Sequence, residues 1–184
     1  MNIKIKTQPT PNPNAVKFIT TVTVISRDRK SYDSFEDCMG NPLAQALFRI
    51  EHVTQVHFFE NVITVTQNGQ SPWSDLQTKI TDLLIEKLPT HDPNFIDVLQ
   101  DPSSSESLPP ELLEINKILD RTIRPYLQGD GGDIEVLELK DHMLWVRYEG
   151  ACGSCPSSAM GTLQAIESVL REEYNDPELQ VHAV

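Results

Sequence analysis

Gly150-Ala151-Cys152-Gly153-Ser154-Cys155-Pro156-Ser157-Ser158 holds two of the chain's three cysteines, spaced C-x-x-C. It stands where the sequence pattern changes. Residues 143–148, Met-Leu-Trp-Val-Arg-Tyr, read as a strand, and residues 159–174 carry apolar side chains at helical spacing. Two thiols three positions apart can turn their sulfurs toward one point, to grip one metal ion or to close one small disulfide ring. Pro156 suits the first turn of the helix, where its missing N–H costs nothing. The positive end of that helix then faces the sulfurs, lowering thiol pKa and favouring the thiolate, the form that binds metal or attacks a disulfide.

Two thiolates make half of a tetrahedral sulfur site. Iron–sulfur clusters usually take four cysteine ligands, and a structural zinc likewise takes four ligands. The third cysteine, Cys38, lies far away in the sequence. Either histidine or carboxylate completes the site within one chain, with His142 and His182 as candidates, or a second copy supplies its own pair by two-fold symmetry.

Outward from the loop, the pattern expects a helix from residue 110 or 111 to about 126. Its buried stripe is Leu112, Ile115, Leu119, Ile123 and Tyr126, and Pro125 should tighten or bend its last turn. Gly129-Asp130-Gly131-Gly132-Asp133 should stop that helix. Strands over 134–140 and 143–148 should form a hairpin through Asp141-His142. A helix from 159, with Met160, Leu163, Ile166, Val169 and Leu170 inward, and a strand over 179–184 complete this half. The front half reads as strands over 3–8, 15–24, 53–59 and 62–66. It also holds a short helix opened by Pro42, an amphipathic helix over 73–88, and an irregular stretch over 31–41 that contains Cys38. Residues 101–110, Asp-Pro-Ser-Ser-Ser-Glu-Ser-Leu-Pro-Pro, read as a flexible linker, while apolar Phe95, Ile96, Val98 and Leu99 allow a short ordered piece over 94–99. The expectation is α+β throughout: two small α+β domains, 1–90 and 110–184, joined by a linker over 91–109. Trp73 and Trp145 read as core packing, and Cys38 as an inert small side chain.

Composition excludes several functions. The chain of 184 residues has net charge −12, with −3 in residues 1–102 and −9 in residues 103–184. An acidic chain without a basic run suits neither nucleic acid nor an anionic membrane surface, and no apolar run approaches a membrane span. Three cysteines argue against a secreted disulfide scaffold. The first residues show neither a signal-peptide core nor an Arg-rich presequence. The expected setting is a reducing bacterial cytoplasm, or the mitochondrial matrix if a presequence has been removed. No Ser/His/Asp set, paired carboxylates with a pocket signature or nucleotide motif appears, so no enzyme activity is expected. GDGGD lacks phosphate-loop spacing, and its aspartates would repel phosphate.

The run GDGGDIEVLEL, the loop GACGSCPSS and the following TLQAIESVL resemble the NifU-like iron–sulfur domain of Nfu proteins. QPTPNPNAVKFIT and NPLAQALFRIEHVTQVHFFENVITVT resemble the separate Nfu N-terminal domain. Together they cover most of the chain. The resemblance implies a scaffold or carrier whose Cys152 and Cys155 ligate a [4Fe–4S] cluster shared between two subunits of a homodimer. Upstream assembly proteins would donate the cluster and apo iron–sulfur proteins would accept it. Two other classes remain: a thiol–disulfide oxidoreductase using the same pair, since strand, C-x-x-C and helix is also the thioredoxin arrangement, and a zinc-stabilised interaction module.

Overall fold

The computed structural model describes residues 3–95, 108–153 and 159–184. The chain divides into two compact units, Met1–Asp101 and Pro102–Val184, each an α+β fold with its own sheet and its own core.

In the first unit β1 (Ile5–Pro9), β2 (Ala15–Thr20), β3 (Arg29–Tyr32), β4 (Val53–Phe59) and β5 (Val62–Gln67) form an antiparallel sheet. Its order is β1-β2-β5-β4-β3. Phe18, Val56, Phe58, Ile63 and Val65 are buried from the sheet side. They join Leu43 and Leu47 of α1 (Pro42–Phe48) and Leu76, Ile80 and Leu84 of α2 (Trp73–Lys87) in one core. α1 begins where it does because Asn41 caps it: its side-chain oxygen accepts from the backbone N–H groups of Leu43 and Ala44, both at 3.1 Å, and Pro42 needs no partner. The Thr-Pro-Asn-Pro-Asn loop is tied to α2 by Trp73, whose indole N–H donates to the Pro13 carbonyl at 2.9 Å.

Three features of this unit depart from expectation. The stretch over 31–41 is not wholly irregular: Arg29–Tyr32 is an edge strand and Glu36–Cys38 a 3-10 turn. The strand escapes its pattern because only Tyr32 in it is fully buried. The front of the stretch expected as linker, residues 91–95, is docked on the core. His91 Nε2–H donates to the Val24 carbonyl at 2.7 Å, the Ser26 N–H donates to Pro93, and Phe95 meets Phe58 edge-on at 6.4 Å. Burial holds the pKa of His91 below its usual value, so the ring stays neutral. Third, β2 ends at Thr20, short of residue 24.

The second unit runs α3 (Pro110–Thr122), α4 (Arg124–Gly129), β6 (Gly132–Lys140), β7 (Met143–Gly150), α5 (Ala159–Glu173) and β8 (Gln180–Ala183). The helix expected over 110–126 is therefore two, broken at Ile123, with Pro125 starting the second rather than bending the first. β6 and β7 pair antiparallel, and β7 and β8 pair parallel. A parallel pair requires a crossover, and α5 supplies it. The cysteine loop lies at the start of that crossover, beyond the C-terminal end of β7. Ile115 and Leu119 of α3 and Ile166 and Leu170 of α5 pack on Ile134, Leu144 and Val146. Trp145 stands outside this core, half-buried, with its ring 5.0 Å from that of His182.

The β6–β7 hairpin closes on Asp141 (φ 49°) and His142 (φ 63°), both left-handed. A two-residue turn of this kind matches the strand twist but strains residues with a Cβ. His142 Nδ1 lies 2.7 Å from Asp176, which raises the histidine pKa and lowers that of Asp176. The raised histidine contributes stability present below pH ~6.5 and lost as pH rises through its folded value; the lowered aspartate contributes stability lost at acid pH. The double substitution Asp141→Asn, His142→Gly should relieve the strain, stabilising the unit by about 1 kcal/mol at pH 8. The gain should be smaller at pH 5.5, where the parent keeps its His142–Asp176 pair. Thermal unfolding at the two pH values measures it.

Candidate metal centre

The site is built at the open end of the β6–β7 hairpin. Register places Gly132 opposite Gly150, Asp133 opposite Glu149 and Ile134 opposite Tyr148. Gly150 adopts φ 60°, a left-handed conformation that turns the chain out of β7. The next residues fold back on this end. The Ala151 N–H donates to the Gly131 carbonyl at 3.1 Å, the Cys152 N–H to Glu149 at 3.3 Å and the Gly153 N–H to Gly150 at 3.1 Å. Cys152 is thereby pressed into the unit, 7% exposed and part of its core.

Gly132 makes this possible. A Cβ there would run into the Cys152 sulfur and lie 2.7 Å from the Glu149 carbonyl oxygen and 2.8 Å from the Cys152 nitrogen. Gly131 (φ 85°) turns the chain just before it. In the GDGGD run, Gly131 thus serves the turn that was expected, while Gly132 gives room to a sulfur. Contacts across sheet registers leave no sequence period, so this second role was hidden.

Tyr148 flanks the same place from β7. Burial, then the negative charge of Cys152, push its phenol up to about 12, partly offset by a hydrogen bond with the Thr162 side chain on α5. The phenol therefore stays protonated at ordinary pH and presents a neutral polar group beside the thiol.

Behind the turn lies a polar network that sequence reasoning missed. Arg124 is 4% exposed and Asp133 fully buried, with Arg124 Nε 3.3 Å from an Asp133 carboxylate oxygen. A charged side chain is usually read as solvated, and Arg124 falls beside Pro125, whose ring signals a helix end instead. No local signal marks it, because the break between α3 and α4 at Ile123 is itself invisible in a pattern that reads as one helix.

Cys155 and Pro156 lie outside the described residues, so the expectations placed on them do too. Cys38 is fully buried in the core of the first unit, where its thiol donates to the Phe35 carbonyl at 3.0 Å. His142 occupies the hairpin turn, at the opposite end of β7 from the cysteine loop, and His182 lies level with Trp145 in mid-strand. Neither is brought to Cys152 to complete a site within one chain. Among the described residues no three His, Cys, Asp or Glu side chains converge as a ligand set.

Two family models match the chain: the scaffold protein Nfu/NifU N-terminal domain over residues 5–91, and the NifU-like domain over residues 115–181. The "NFU1 iron-sulfur cluster scaffold homolog, mitochondrial" of Homo sapiens is 34% identical over 176 residues, covering 91% of this chain and 66% of that protein. "NifU-like protein 4, mitochondrial" of Arabidopsis thaliana is 30% identical over 172 residues, covering 90% of this chain and 61% of that protein. The chain thus spans roughly two thirds or less of the length of these relatives. The solution structure of a NifU-like protein from Saccharomyces cerevisiae is 26% identical, with a TM-score of 0.44 over 48% of this chain and 84% of that one. No described helix is long and apolar enough to cross a membrane.

The glycine contact makes a sharp prediction. Gly132→Ala must displace Cys152 and should destabilise the second unit by roughly 1–3 kcal/mol, as overpacking does. Gly129→Ala, where an added Cβ meets nothing within 4 Å, should be neutral or stabilising by up to about 1 kcal/mol, since it ends a helix. Denaturant unfolding followed by Trp145 fluorescence, in chains carrying Trp73→Phe so that Trp145 is the one tryptophan, compares them. Equal stabilities would show that the Gly132 contact can relax.

Proposed function

The chain belongs to the Nfu/NifU family, and from that premise we propose that it carries an iron–sulfur cluster and passes it to apo-proteins, without catalysing a reaction of its own. The observation that carries this reading is a single thiol, Cys152, seated against Gly132 at a strand end by backbone hydrogen bonds, three residues before a second cysteine. The relatives named as iron–sulfur cluster scaffolds support it.

The cargo is a [4Fe–4S] cluster bridged between two copies of the chain. A cubane takes four cysteine thiolates, and each chain offers Cys152 and Cys155. A histidine completing the set is disfavoured, because His142 is engaged with Asp176 and His182 with Trp145. Thiolates suit a carrier because they bind iron, and a thiol that takes up a proton leaves readily when an acceptor thiolate replaces it. Such an exchange moves a proton and a ligand and no electrons.

Residues 110–184 bear the ligand pair and form the loading domain, while residues 1–90 select partners and raise the local concentration of the cluster near an acceptor. Donors are upstream assembly proteins and acceptors are apo iron–sulfur proteins. The chemistry requires a reducing compartment, whether bacterial cytoplasm or mitochondrial matrix.

Anaerobic reconstitution with iron and sulfide tests the reading. Wild type and Cys38→Ser should develop the visible absorption of a cluster with matching iron and sulfide, whereas Cys152→Ser and Cys155→Ser should each retain it at least about tenfold less. A colourless protein with a measurable dithiol potential would instead make the pair a redox centre, and a colourless zinc-retaining one would make it structural.

A further inference from the structure

The second unit buries an ion pair directly behind the cysteine turn. Removing two charges from water is costly, and an apolar pair of similar volume often serves stability as well or better. The Arg124 fork does what an apolar residue cannot: it fixes direction. One Nη donates to the Asn116 side-chain oxygen at 2.6 Å and to the Ile134 carbonyl at 3.1 Å. The other donates to the Asp120 carboxylate and, at 3.4 Å, to the Asn116 carbonyl. Asp133 in turn accepts from the Gln128 side chain at 2.9 Å and from the Ile134 N–H at 2.7 Å. The partners come from α3, α4 and β6, and the chain passes from α4 into β6 through the Gly131-Gly132 step.

That step is the ledge on which the cysteine turn rests. Gly131 accepts the Ala151 N–H, and Gly132 abuts the Cys152 sulfur. We infer that Arg124, with Asp133, is a positioning residue for Cys152: it fixes the Gly131–Gly132 ledge between α4 and β6 and so sets where the thiol sits. The inference rests on the scaffold reading only for its consequence, cluster retention. The placement of the thiol is measurable without a cluster.

The test uses the full chain with Cys38→Ser and Cys155→Ser, leaving Cys152 as its single thiol, and follows alkylation by iodoacetamide at fixed pH. Cluster lifetime in air is measured separately in the chain with all cysteines present. Arg124→Met combined with Asp133→Asn removes the buried pair without leaving a lone charge. Its thermal midpoint should stay within about 4 °C of the parent. Its Cys152 alkylation rate should nevertheless change severalfold, and its cluster lifetime should fall roughly tenfold. Arg124→Lys keeps the charge without the fork and should shift both readouts in the same direction. Recovered stability with an unchanged alkylation rate and unchanged cluster lifetime would overturn the assignment, leaving the pair purely structural. Should the double variant unfold, unchanged readouts in Arg124→Lys would overturn it instead. If the parent loads no cluster, the scaffold reading fails, and the alkylation comparison still decides the role of Arg124.

Discussion

The sulfur of Cys152 and the missing side chain of Gly132 occupy one volume. Everything around the site serves that contact. The hairpin register brings Gly132 opposite Gly150, the left-handed turn at Gly150 folds Cys152 back, and the Ala151 N–H pins the fold to Gly131. Arg124 lies 3.3 Å from Asp133 and donates to the Ile134 carbonyl; these are the two strand residues that follow Gly132. A thiol placed before it binds anything lowers the ordering cost of that binding.

The same constraint explains the division of the chain. All the described polar network behind the cysteine belongs to the second unit, which has its own core. The first unit commits its buried cysteine to packing. Its most specific loop, Thr-Pro-Asn-Pro-Asn, is braced internally: Asn12 is buried, its side-chain oxygen accepts from the Asn14 N–H at 2.9 Å, and Trp73 caps Pro13. Such bracing gives the loop a stable shape.

Much of this was legible in the sequence where one local rule decides. Asn41-Pro42 marks a helix start, the alternation over 143–148 marks a strand, and the spacing of Leu76, Ile80 and Leu84 marks a buried helix face. The C-x-x-C and its flanks drew attention to Cys152, but not to its burial against Gly132. Features that depend on distant contacts were not legible. Arg29–Tyr32 reads as polar because an edge strand faces solvent. Phe95 stood out as apolar, but nothing local announces that His91 docks beside it on Phe58. Nothing in the sequence singled out Arg124, and Gly132 looked like one more turn glycine. Both roles come from neighbours brought in by the fold.

On the proposed reading each chain offers half a ligand set, so that a cubane requires two chains. Native mass spectrometry of the anaerobically loaded protein, a chain of 20.7 kDa, tests this most directly. The account predicts that essentially every cluster-bearing ion contains two chains and about four irons, and that removing the cluster depletes the two-chain ions. A single chain carrying an intact four-iron cluster would contradict it.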